Sequence, residues 1–182
     1  AGKPKGGDML RGELVDVRLF RENDLDELVR LWQDVHARGD YYPLGLTSEV
    51  VRRREFFETG SWQDGLGRMA IVDKEGRLQG QLLSFRPSTY LSAIELAYII
   101  LNPESRGKGY MTEAVRLLTA YLFDLHNVNR IQLTVMEGNE GSRRVAQKCG
   151  FKSEGVLRLA FFQKGRFVDI ELFSLLRDEQ RS

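Results

Sequence analysis

The chain has 182 residues, 42% of them hydrophobic and 29% charged, and its net charge is +1. This length and composition predict one folded domain and are not typical of a disordered chain. The balanced charge gives no sign of nucleic-acid binding, and no apolar run is long enough to cross a membrane. Because Cys149 is the only cysteine, no disulfide can form within the chain. We therefore expect a cytoplasmic protein whose partners include neither a nucleic acid nor a membrane.

The first half of the chain predicts a strand followed by two helices and then more strands. Residues 1–10 are rich in Gly, Lys and Pro, so we expect a mobile tail there and a single domain over residues 11–182. Alternating apolar residues at 15–20 predict the first strand. Apolar spacing of three and four residues predicts one helix after a cap at Asn23 or Asp24, and a second over residues 47–57.

The second half alternates strands with helices. Its predicted strands cover residues 69–72, 78–85, 94–101, 130–136, 152–162 and 166–175. A long helix is predicted over residues 108–126, and a short one over residues 139–148 ends at Gly150. Helices between the later strands require crossovers and hence at least one parallel strand pair. We expect an α/β (α+β) fold with a mixed central sheet and helices on both faces.

One glycine-rich loop lies between an apolar strand and the long helix, with the sequence Arg106-Gly107-Lys108-Gly109-Tyr110-Met111-Thr112. A turn at a helix N-terminus presents unbonded N–H groups and the positive end of the helix dipole, which suit a phosphate group. Glycines let the backbone approach a ligand closely. Arg106 and Lys108 add charge, and Thr112 could cap the helix or donate to a phosphate oxygen. A plain loop with surface cations is the alternative.

The loop differs from the two commonest nucleotide-binding motifs. Lys108 is followed by glycine rather than Ser or Thr, so the loop is not a P-loop. Thr112 stands where the dinucleotide-binding fingerprint has its third glycine. A nucleotide-binding regulatory domain is therefore kept only as a third hypothesis for the function.

The loop resembles that of the GNAT superfamily of acetyltransferases, which reads Arg/Gln-x-x-Gly-x-Gly/Ala. Arg106 and Gly109 match the first two fixed positions. Met111 departs from the third, where the family uses the backbone N–H, so its side chain should point away from the ligand. The stretch at residues 102–114 is especially similar to the branch that contains the RimJ/RimL ribosomal-protein acetyltransferases and the spermidine acetyltransferases.

Two further segments carry the same resemblance. Residues 139–151, Asn-Glu-Gly-Ser-Arg-Arg-Val-Ala-Gln-Lys-Cys-Gly-Phe, resemble the second cofactor helix of that branch. The segment at residues 161–169, Phe-Phe-x-x-Gly-x-Phe-x-Asp, resembles its closing hairpin. The resemblance therefore spans about residues 14–176. It implies a mostly antiparallel sheet in which one parallel strand pair splays apart and holds acetyl-CoA.

The resemblance also implies which residues bind acetyl-CoA as co-substrate. By matching, the splayed strands are residues 94–101 and 130–136. Main-chain groups of the first hold the pantetheine arm in the family, and the glycine loop holds the diphosphate. No metal is implied. The implied cofactor-binding residues are Tyr98, Ile99, Ile100, Leu101, Arg106, Gly107, Lys108, Gly109, Tyr110, Met111, Thr112, Asn139, Arg144 and Lys148.

Three of these residues also have ordinary interpretations. Asn139 matches a family asparagine that contacts the pantetheine end of the cofactor, and it is also well placed to cap a helix. Arg144 and Lys148 lie four residues apart and could meet the adenosine 3′-phosphate. They could equally form a solvated cationic face.

Ser142 and Glu95 are the candidate catalytic residues. A serine at this position in RimL-like proteins is proposed to protonate the departing CoA thiolate, and Ala146 replaces the tyrosine acid of many family members. Glu95, eleven residues before Arg106, matches the base glutamate of the histone-acetyltransferase branch, whereas Phe161 occupies the base position of RimL-like enzymes. The alternatives are an ordinary first-turn serine and a strand-edge glutamate bonded to backbone or an arginine.

The implied function is transfer of an acetyl group from acetyl-CoA to a primary amine by direct attack in a ternary complex. An α-amine needs roughly 1 kcal/mol to lose its proton at pH 7, whereas a lysine-like amine needs roughly 4.6. A weak or water-mediated base therefore favours a peptide or protein N-terminus over a small amine metabolite or antibiotic. The alternative function is a non-catalytic acyl-CoA-binding module. We expect a monomer or homodimer, with the acceptor near Tyr41, Tyr42, Trp62 and residues 85–90.

Overall fold

In a computed structural model of the chain, residues 9–36, 39–41 and 45–180 are described. The predicted tail at residues 1–8 and the acceptor candidate Tyr42 lie outside the described residues. Met9 and Leu10, which the sequence analysis places in the tail, belong to a three-residue strand paired with the next one. Three residues are too few to show an alternating pattern, so only the pairing reveals this strand.

Strands and helices follow the predicted order. The strands are β1 (Met9–Arg11), β2 (Val15–Leu19), β3 (Trp62–Gln63), β4 (Leu66–Asp73), β5 (Leu78–Phe85), β6 (Ala93–Ile100), β7 (Arg130–Met136), β8 (Lys152–Gln163) and β9 (Arg166–Leu176). The helices are α1 (Leu25–Gln33), α2 (Glu49–Thr59), α3 (Tyr110–Leu125), α4 (Glu140–Lys148) and α5 (Arg177–Gln180). Within the described chain, no helix combines the length and apolar character needed to cross a membrane.

The sheet has the order β1-β2-β4-β5-β6-β7-β9-β8, and β3 pairs with the first two residues of β4. The pair β6–β7 is parallel, and every other neighbouring pair in the described chain is antiparallel. The predicted mixed sheet with a parallel pair is therefore confirmed. The parallel pair exists because α3 carries the chain back across the sheet between β6 and β7.

Side chains of β4 show how the sheet separates two apolar layers. Met69 and Ile71 pack in a cluster with α3 and α4, whereas Ala70 and Val72 pack in a cluster with α1. Neighbouring residues of a strand point to opposite faces, so both faces of β4 are buried. Helices thus cover both faces of the sheet, as the sequence predicts.

The first turn of α3 is tied to the turn between β1 and β2. The Glu113 carboxylate accepts hydrogen bonds from the backbone N–H groups of Glu13, Leu14 and Val15 at 2.8, 2.8 and 2.7 Å. Gly12 lies against the same carboxylate, because a Cβ there would come within 2.5 Å of Glu113 Oε2. The start of α3, and with it the glycine-rich loop, is therefore fixed to the edge of the sheet.

Candidate functional site

A cleft opens where the parallel strands β6 and β7 separate. The strands pair from Ala93 to Leu96 of β6, and beyond Leu96 no strand of the described chain continues this ladder. The cleft has a volume of about 650 Å³. Its lining combines parts of the sheet, the glycine loop, α4 and the α1–α2 connection: His36, Gly39, Asp40, Tyr41, Arg68, Gln81, Leu83, Ala97, Tyr98, Ile99, Ile100, Arg106, Gly107, Met111, Asn139, Gly141, Ser142 and Val145.

Backbone groups of β6 face this opening. The N–H of Leu101 donates to the carbonyl oxygen of Gln79, so Leu101 directs its polar backbone groups toward β5. Successive residues of a strand direct their N–H and C=O groups to opposite edges. Tyr98 and Ile100 therefore direct theirs toward β7, at the level where β7 has moved away. They are the main-chain groups that a ligand inserted between the strands would meet.

The cleft passes through the sheet and has two halves. Tyr98, Met111 and Ser142 lie on the face covered by α3 and α4. Gln81 and Ala97 lie on the opposite face, since Gln81 is the partner of Ala70 and Ala97 alternates with Tyr98. A ligand on the α3/α4 face and a second ligand on the α1/α2 face could therefore meet between β6 and β7.

The glycine loop has the backbone conformation of an anion-binding turn. Gly107 and Gly109 have φ values of 77° and 84°, a left-handed region that favours glycine. Gly109 is the N-cap of α3 and offers no side chain to the first-turn N–H groups. Thr112 is not the cap, since its position lies inside the first turn. Met111 is buried in the core while forming part of the cleft wall.

Buried polar contacts fix the chain where β6 leads into the loop. Ser105 Oγ donates to Gln79 Oε1 at 2.5 Å, and Gln79 Nε2 donates to Asp73 Oδ2 at 2.8 Å. Burial by itself would raise the pKa of Asp73, but hydrogen bonds from the Arg77 backbone and guanidinium lower it overall. The loop thus starts from a fully bonded anchor that joins β4, β5 and the end of β6.

Tyr98 and Ser142 meet across the cleft. The Ser142 hydroxyl lies 2.9 Å from the Tyr98 hydroxyl, and either group could donate. Asn139 is the N-cap of α4, because its Oδ1 accepts from the Ser142 N–H at 3.1 Å, and it also lines the cleft. Burial raises the pKa of Tyr98, so this hydroxyl keeps its proton at neutral pH. A protonated hydroxyl pair therefore lies on the α3/α4 side of the opening.

Several residues matched to cofactor binding do not line the cleft. Leu101 is 1% exposed and packs in the α1 cluster, while Tyr110 packs beside the main core. Lys108, Arg144 and Lys148 are exposed at the surface of the loop and of α4. The matched residues that do line the cleft are Tyr98, Ile99, Ile100, Arg106, Gly107, Met111 and Asn139. The remaining matched residues are Gly109 and Thr112, which lie in the loop itself without lining the cleft.

Cys149 lies behind the loop rather than in the cleft. Its thiol donates to the carbonyl oxygen of Thr112 at 3.4 Å. Burial raises the pKa of this thiol to about 11, which keeps it protonated and makes it a poor nucleophile. Cys149 therefore has a packing role beside the main core.

Glu95 lies on the α1/α2 face, one strand repeat before Ala97. Its carboxylate accepts from Gln132 Nε2 at 2.8 Å and from Thr134 Oγ1 at 3.4 Å. Gln132 Oε1 in turn accepts from Arg130 Nε at 3.0 Å. Glu95 does not line the cleft itself. The Glu95 carboxylate lies beside the opening, so a bridging water would have to carry a proton between this carboxylate and a ligand in the cleft.

Residues 39–41 cross the mouth of the cleft. Asp40 forms an ion pair with Lys164 at 2.5 Å, and the Lys164 ammonium lowers the pKa of Asp40 through its hydrogen bond and its charge. Tyr41 donates to the carbonyl oxygen of Gly138 at 2.8 Å. The segment therefore links the β8–β9 turn to the start of α4.

The residues expected near the acceptor lie only partly in the cleft lining. Tyr41 lines the cleft as expected, but Trp62 packs beside the main core and residues 85–90 do not contribute to the lining. Arg68 and Gln81 contribute to it instead. Two glutamines at positions 79 and 81 of the apolar strand β5 were a usable signal for Gln81. No signal distinguishes Arg68 from a surface arginine, because its position depends on which strands become neighbours.

Chemically, the cleft has room for two ligands that meet between β6 and β7. Arg106, glycine N–H groups and open backbone groups lie on one side, Arg68 lies on the other, and a glutamate and a hydroxyl pair flank the opening. Across the described ranges, no three or more His, Cys, Asp or Glu side chains come together as a metal-ligand group.

Comparison with known proteins gives consistent matches. Residues 15–152 match the family model described as Acetyltransferase (GNAT) domain. The chain is 41% identical over 176 residues to the uncharacterized N-acetyltransferase p20 of Bacillus licheniformis, which covers 94% of this chain and 98% of that protein.

Solved structures share the same fold. Spermidine N-acetyltransferase from Vibrio cholerae, solved with CoA and spermine, has a TM-score of 0.80 at 21% identity, over 93% of this chain and 99% of that one. Ribosomal-protein-S5-alanine acetyltransferase from Vibrio fischeri has a TM-score of 0.77 at 21% identity, over 97% of this chain and 100% of that one.

Proposed function

Because the chain belongs to the GNAT acetyltransferase family, we propose that its cleft binds acetyl-CoA and that the acceptor is a peptide or protein N-terminus. Family membership makes the chain an acyl-CoA-dependent N-acetyltransferase; the acceptor is the new element of the proposal. The observation that most strongly supports acetyl-CoA binding is that one cleft joins the glycine loop to the open backbone of β6. We place the chain in the RimJ/RimL-like branch.

The residues of the cleft fit acetyl-CoA. Arg106, Gly107 and the N–H groups of the first turn of α3 would hold the diphosphate, which is stabilised by the helix dipole. The pantetheine arm would lie along Tyr98 and Ile100, replacing the strand contacts that β7 no longer makes. Asn139 would donate to the arm from its NH₂ group, since its Oδ1 caps α4. The exposed cations Lys108, Arg144 and Lys148 would meet the adenosine 3′-phosphate.

Chemistry then takes place between β6 and β7. The neutral amine attacks the thioester carbonyl from the α1/α2 face, and the N–H of Ile100 or Tyr98 donates to the carbonyl oxygen as negative charge develops there. The new C–N bond forms as the C–S bond breaks. Ser142 donates its proton to the departing thiolate, while the Tyr98 hydroxyl 2.9 Å away donates a hydrogen bond to the Ser142 oxygen. Water returns a proton to Ser142 after the CoA thiol leaves. Positioning of the two reactants supplies roughly 7–11 kcal/mol of the rate acceleration.

Glu95 receives the proton that the amine loses. Its hydrogen bonds from Gln132 and Thr134 hold the carboxylate on the acceptor face. It is set back from the opening, so the proton passes through a water. A base at this distance suits an α-amine, which needs only roughly 1 kcal/mol to become neutral at pH 7.

The structurally similar proteins represent two acceptor classes, since one is a spermidine N-acetyltransferase and the other a ribosomal-protein-S5-alanine acetyltransferase. The electrostatics of this chain support the second class. Two cations, Arg68 and Arg106, line the cleft, and its carboxylate Asp40 is already paired with Lys164. A polycation would find no free carboxylate among the described lining residues.

Release of CoA thiol with a panel of amines tests the function. We expect turnover with peptides bearing a free N-terminus, weaker turnover with lysine-type amines, and little with spermidine. An N-terminally blocked peptide is the matched control. Acetyl-CoA binding without turnover on any amine would instead indicate a non-catalytic binding module, and competition between ATP and CoA in a thermal-shift assay would indicate a nucleotide-binding domain.

A further inference from the structure

We infer that the acceptor carries a carboxylate close to its amine, that Arg68 binds this carboxylate, and that Gln81 receives the amine. The inference rests on the proposed function and narrows its substrate class to α-amines with a neighbouring acidic group. In a peptide this means an N-terminus whose first or second residue is acidic; a free amino acid presents the same chemistry.

Two arginines lie beneath the half of the cleft on the α1/α2 face, which we call the acceptor half. The guanidinium groups of Arg52 and Arg68 lie 4.4 and 5.5 Å from the ring centroid of Trp32. Their side chains are only 13% and 12% exposed, and both pair with Glu55, at 3.4 and 3.6 Å. Both guanidinium groups therefore lie beside the same carboxylate, which is 39% exposed. Their combined positive charge would attract an anionic group of a ligand.

Arg68 is the member of this group that lines the cleft. A guanidinium has five N–H donors in a planar fork, so an arginine held by one carboxylate can still bind another. The Glu55 contact and the Trp32 ring orient the side chain before a ligand arrives. Arg68 therefore presents an oriented cation at the floor of the acceptor half.

Gln81 supplies the second contact. It is 4% exposed and lines the cleft, and its Oε1 has no hydrogen-bond partner among the described residues. A buried amide oxygen without a partner is unfavourable, so a donor from a ligand would stabilise it. Gln81 is the direct cross-strand partner of Ile99, beside the backbone that faces the donor. An amine N–H bonded to Gln81 would lie next to the thioester.

Strand spacing sets the separation between the two contacts. Arg68 pairs with Leu83, and Leu83 pairs with Ala97, so Arg68 lies two strands from β6. Two strand spacings are about 10 Å, and the arginine side chain reaches back across part of that distance. An amine and a carboxylate within one amino acid or one dipeptide fit between the two contacts.

Matched acceptors test the inference. We would compare kcat/KM for the peptide amides Ala-Asp-Ala-Ala and Ala-Asn-Ala-Ala, for alanine and alaninamide, and for spermidine. In the wild-type enzyme we expect at least about a tenfold preference for the acid over its amide, which is about 1.4 kcal/mol. Comparing the tetrapeptide pair with the pair of alanine and alaninamide distinguishes a peptide acceptor from a free amino acid.

Variants connect the preference to Arg68. In Arg68→Gln the ratio of acid to amide should fall to about one, and in Arg68→Lys an intermediate ratio should remain because the charge is kept. Arg30→Gln, which removes an exposed arginine of α1, is the matched control and should keep the wild-type ratio. Thermal melting and acetyl-CoA affinity report whether each variant folds.

Two outcomes overturn the inference without touching the proposed function. One is acetylation of peptides by the wild-type enzyme with equal kcat/KM for the acid and the amide. The other is a preference for the acid that survives Arg68→Gln in a folded variant. No turnover on any amine, by contrast, contradicts both the proposed function and the inference that rests on it.

Discussion

At the scale of single residues, the contact between Tyr98 and Ser142 places two hydroxyl groups in the proposed active site. Ala146, at the position where the family resemblance implies a tyrosine acid, is buried in the core. A different tyrosine, from β6 instead of α4, places its hydroxyl beside Ser142. In the proposed mechanism this hydroxyl pair supplies the proton for the departing thiolate.

Removing the Ser142 hydroxyl tests this role. We expect Ser142→Ala to lower kcat by about 10–100-fold, toward the lower end of typical acid catalysis, because a thiolate is a tolerable leaving group. KM for acetyl-CoA should change little, since the Ser142 N–H still donates to Asn139 Oδ1 and α4 stays capped. Tyr98→Phe should give a smaller loss in kcat. Unchanged single-turnover rates in Ser142→Ala would reduce this serine to a first-turn helix residue.

Glu95 makes the second residue-scale prediction. Glu95→Gln should keep the contacts with Gln132 and Thr134 while removing the proton acceptor. We expect kcat/KM to fall by at least about tenfold at pH 7 and to recover as the pH rises, because more of the amine is then neutral. Exposed Glu104→Gln is the control. An unchanged pH–rate profile would exclude Glu95 as the base.

At the scale of elements, the position of α3 decides where the glycine loop lies. Three backbone N–H groups of the β1–β2 turn end on the Glu113 carboxylate, so the loop is held from the sheet edge as well as from β6. Ser105 and Gln79 hold its other end. The loop between them is thereby preorganised for a ligand.

Loss of the Glu113 carboxylate should therefore affect stability and donor binding together. We expect Glu113→Ala to lower the free energy of unfolding by about 2 kcal/mol, less than the sum of three charged hydrogen bonds because two of the donors are exposed to water. Acetyl-CoA affinity should fall at the same time. Asp124→Asn, near the exposed C-terminal end of α3, is the control for titration calorimetry. Reduced stability with unchanged acetyl-CoA affinity would show that the β1–β2 turn does not influence ligand binding by the glycine loop.

At the scale of the whole molecule, the strands β7, β8 and β9 at one edge of the sheet are joined by an ion pair and its hydrogen bonds. Arg130 of β7 forms two hydrogen bonds with Glu154 of β8, at 2.6 and 2.7 Å. Ser174 of β9 donates to the same carboxylate. Hydrogen bonds from Arg130 and then Ser174 lower the pKa of Glu154 to about 2. One carboxylate thus connects three strands.

Acid should weaken this connection in a defined pH range. The pKa of Glu154 in the folded chain lies below its ordinary value of 4.5, so its contribution to stability is present above about pH 4.5 and is lost as the pH falls toward about 2. Glu154→Gln should lower stability at neutral pH and flatten its dependence over that range. Denaturant titrations from pH 6 to pH 2 measure this, with exposed Glu137→Gln as the control. Parallel curves for Glu154→Gln and the wild type would contradict the assignment.

Much of the architecture was readable from the residues alone. Period-two and helical apolar patterns predicted the strands and helices from β2 to β9 except β3, because buried faces impose those periods. The short elements β1, β3 and α5 were missed, since two to four residues carry no period. Their formation depends on contacts with elements already in place.

The sequence by itself determined the fold and the glycine loop of the candidate site, because a glycine loop between a strand and a helix is a local feature of consecutive residues. Only the tertiary structure decided which other residues line the cleft. Arg68, Gln81 and Tyr98 come from three strands, and they line one cleft with Ser142 only through the order and register of the sheet. Side chains that are brought together from distant parts of the chain leave no local spacing to recognise, so their shared chemistry appears only when the strands become neighbours.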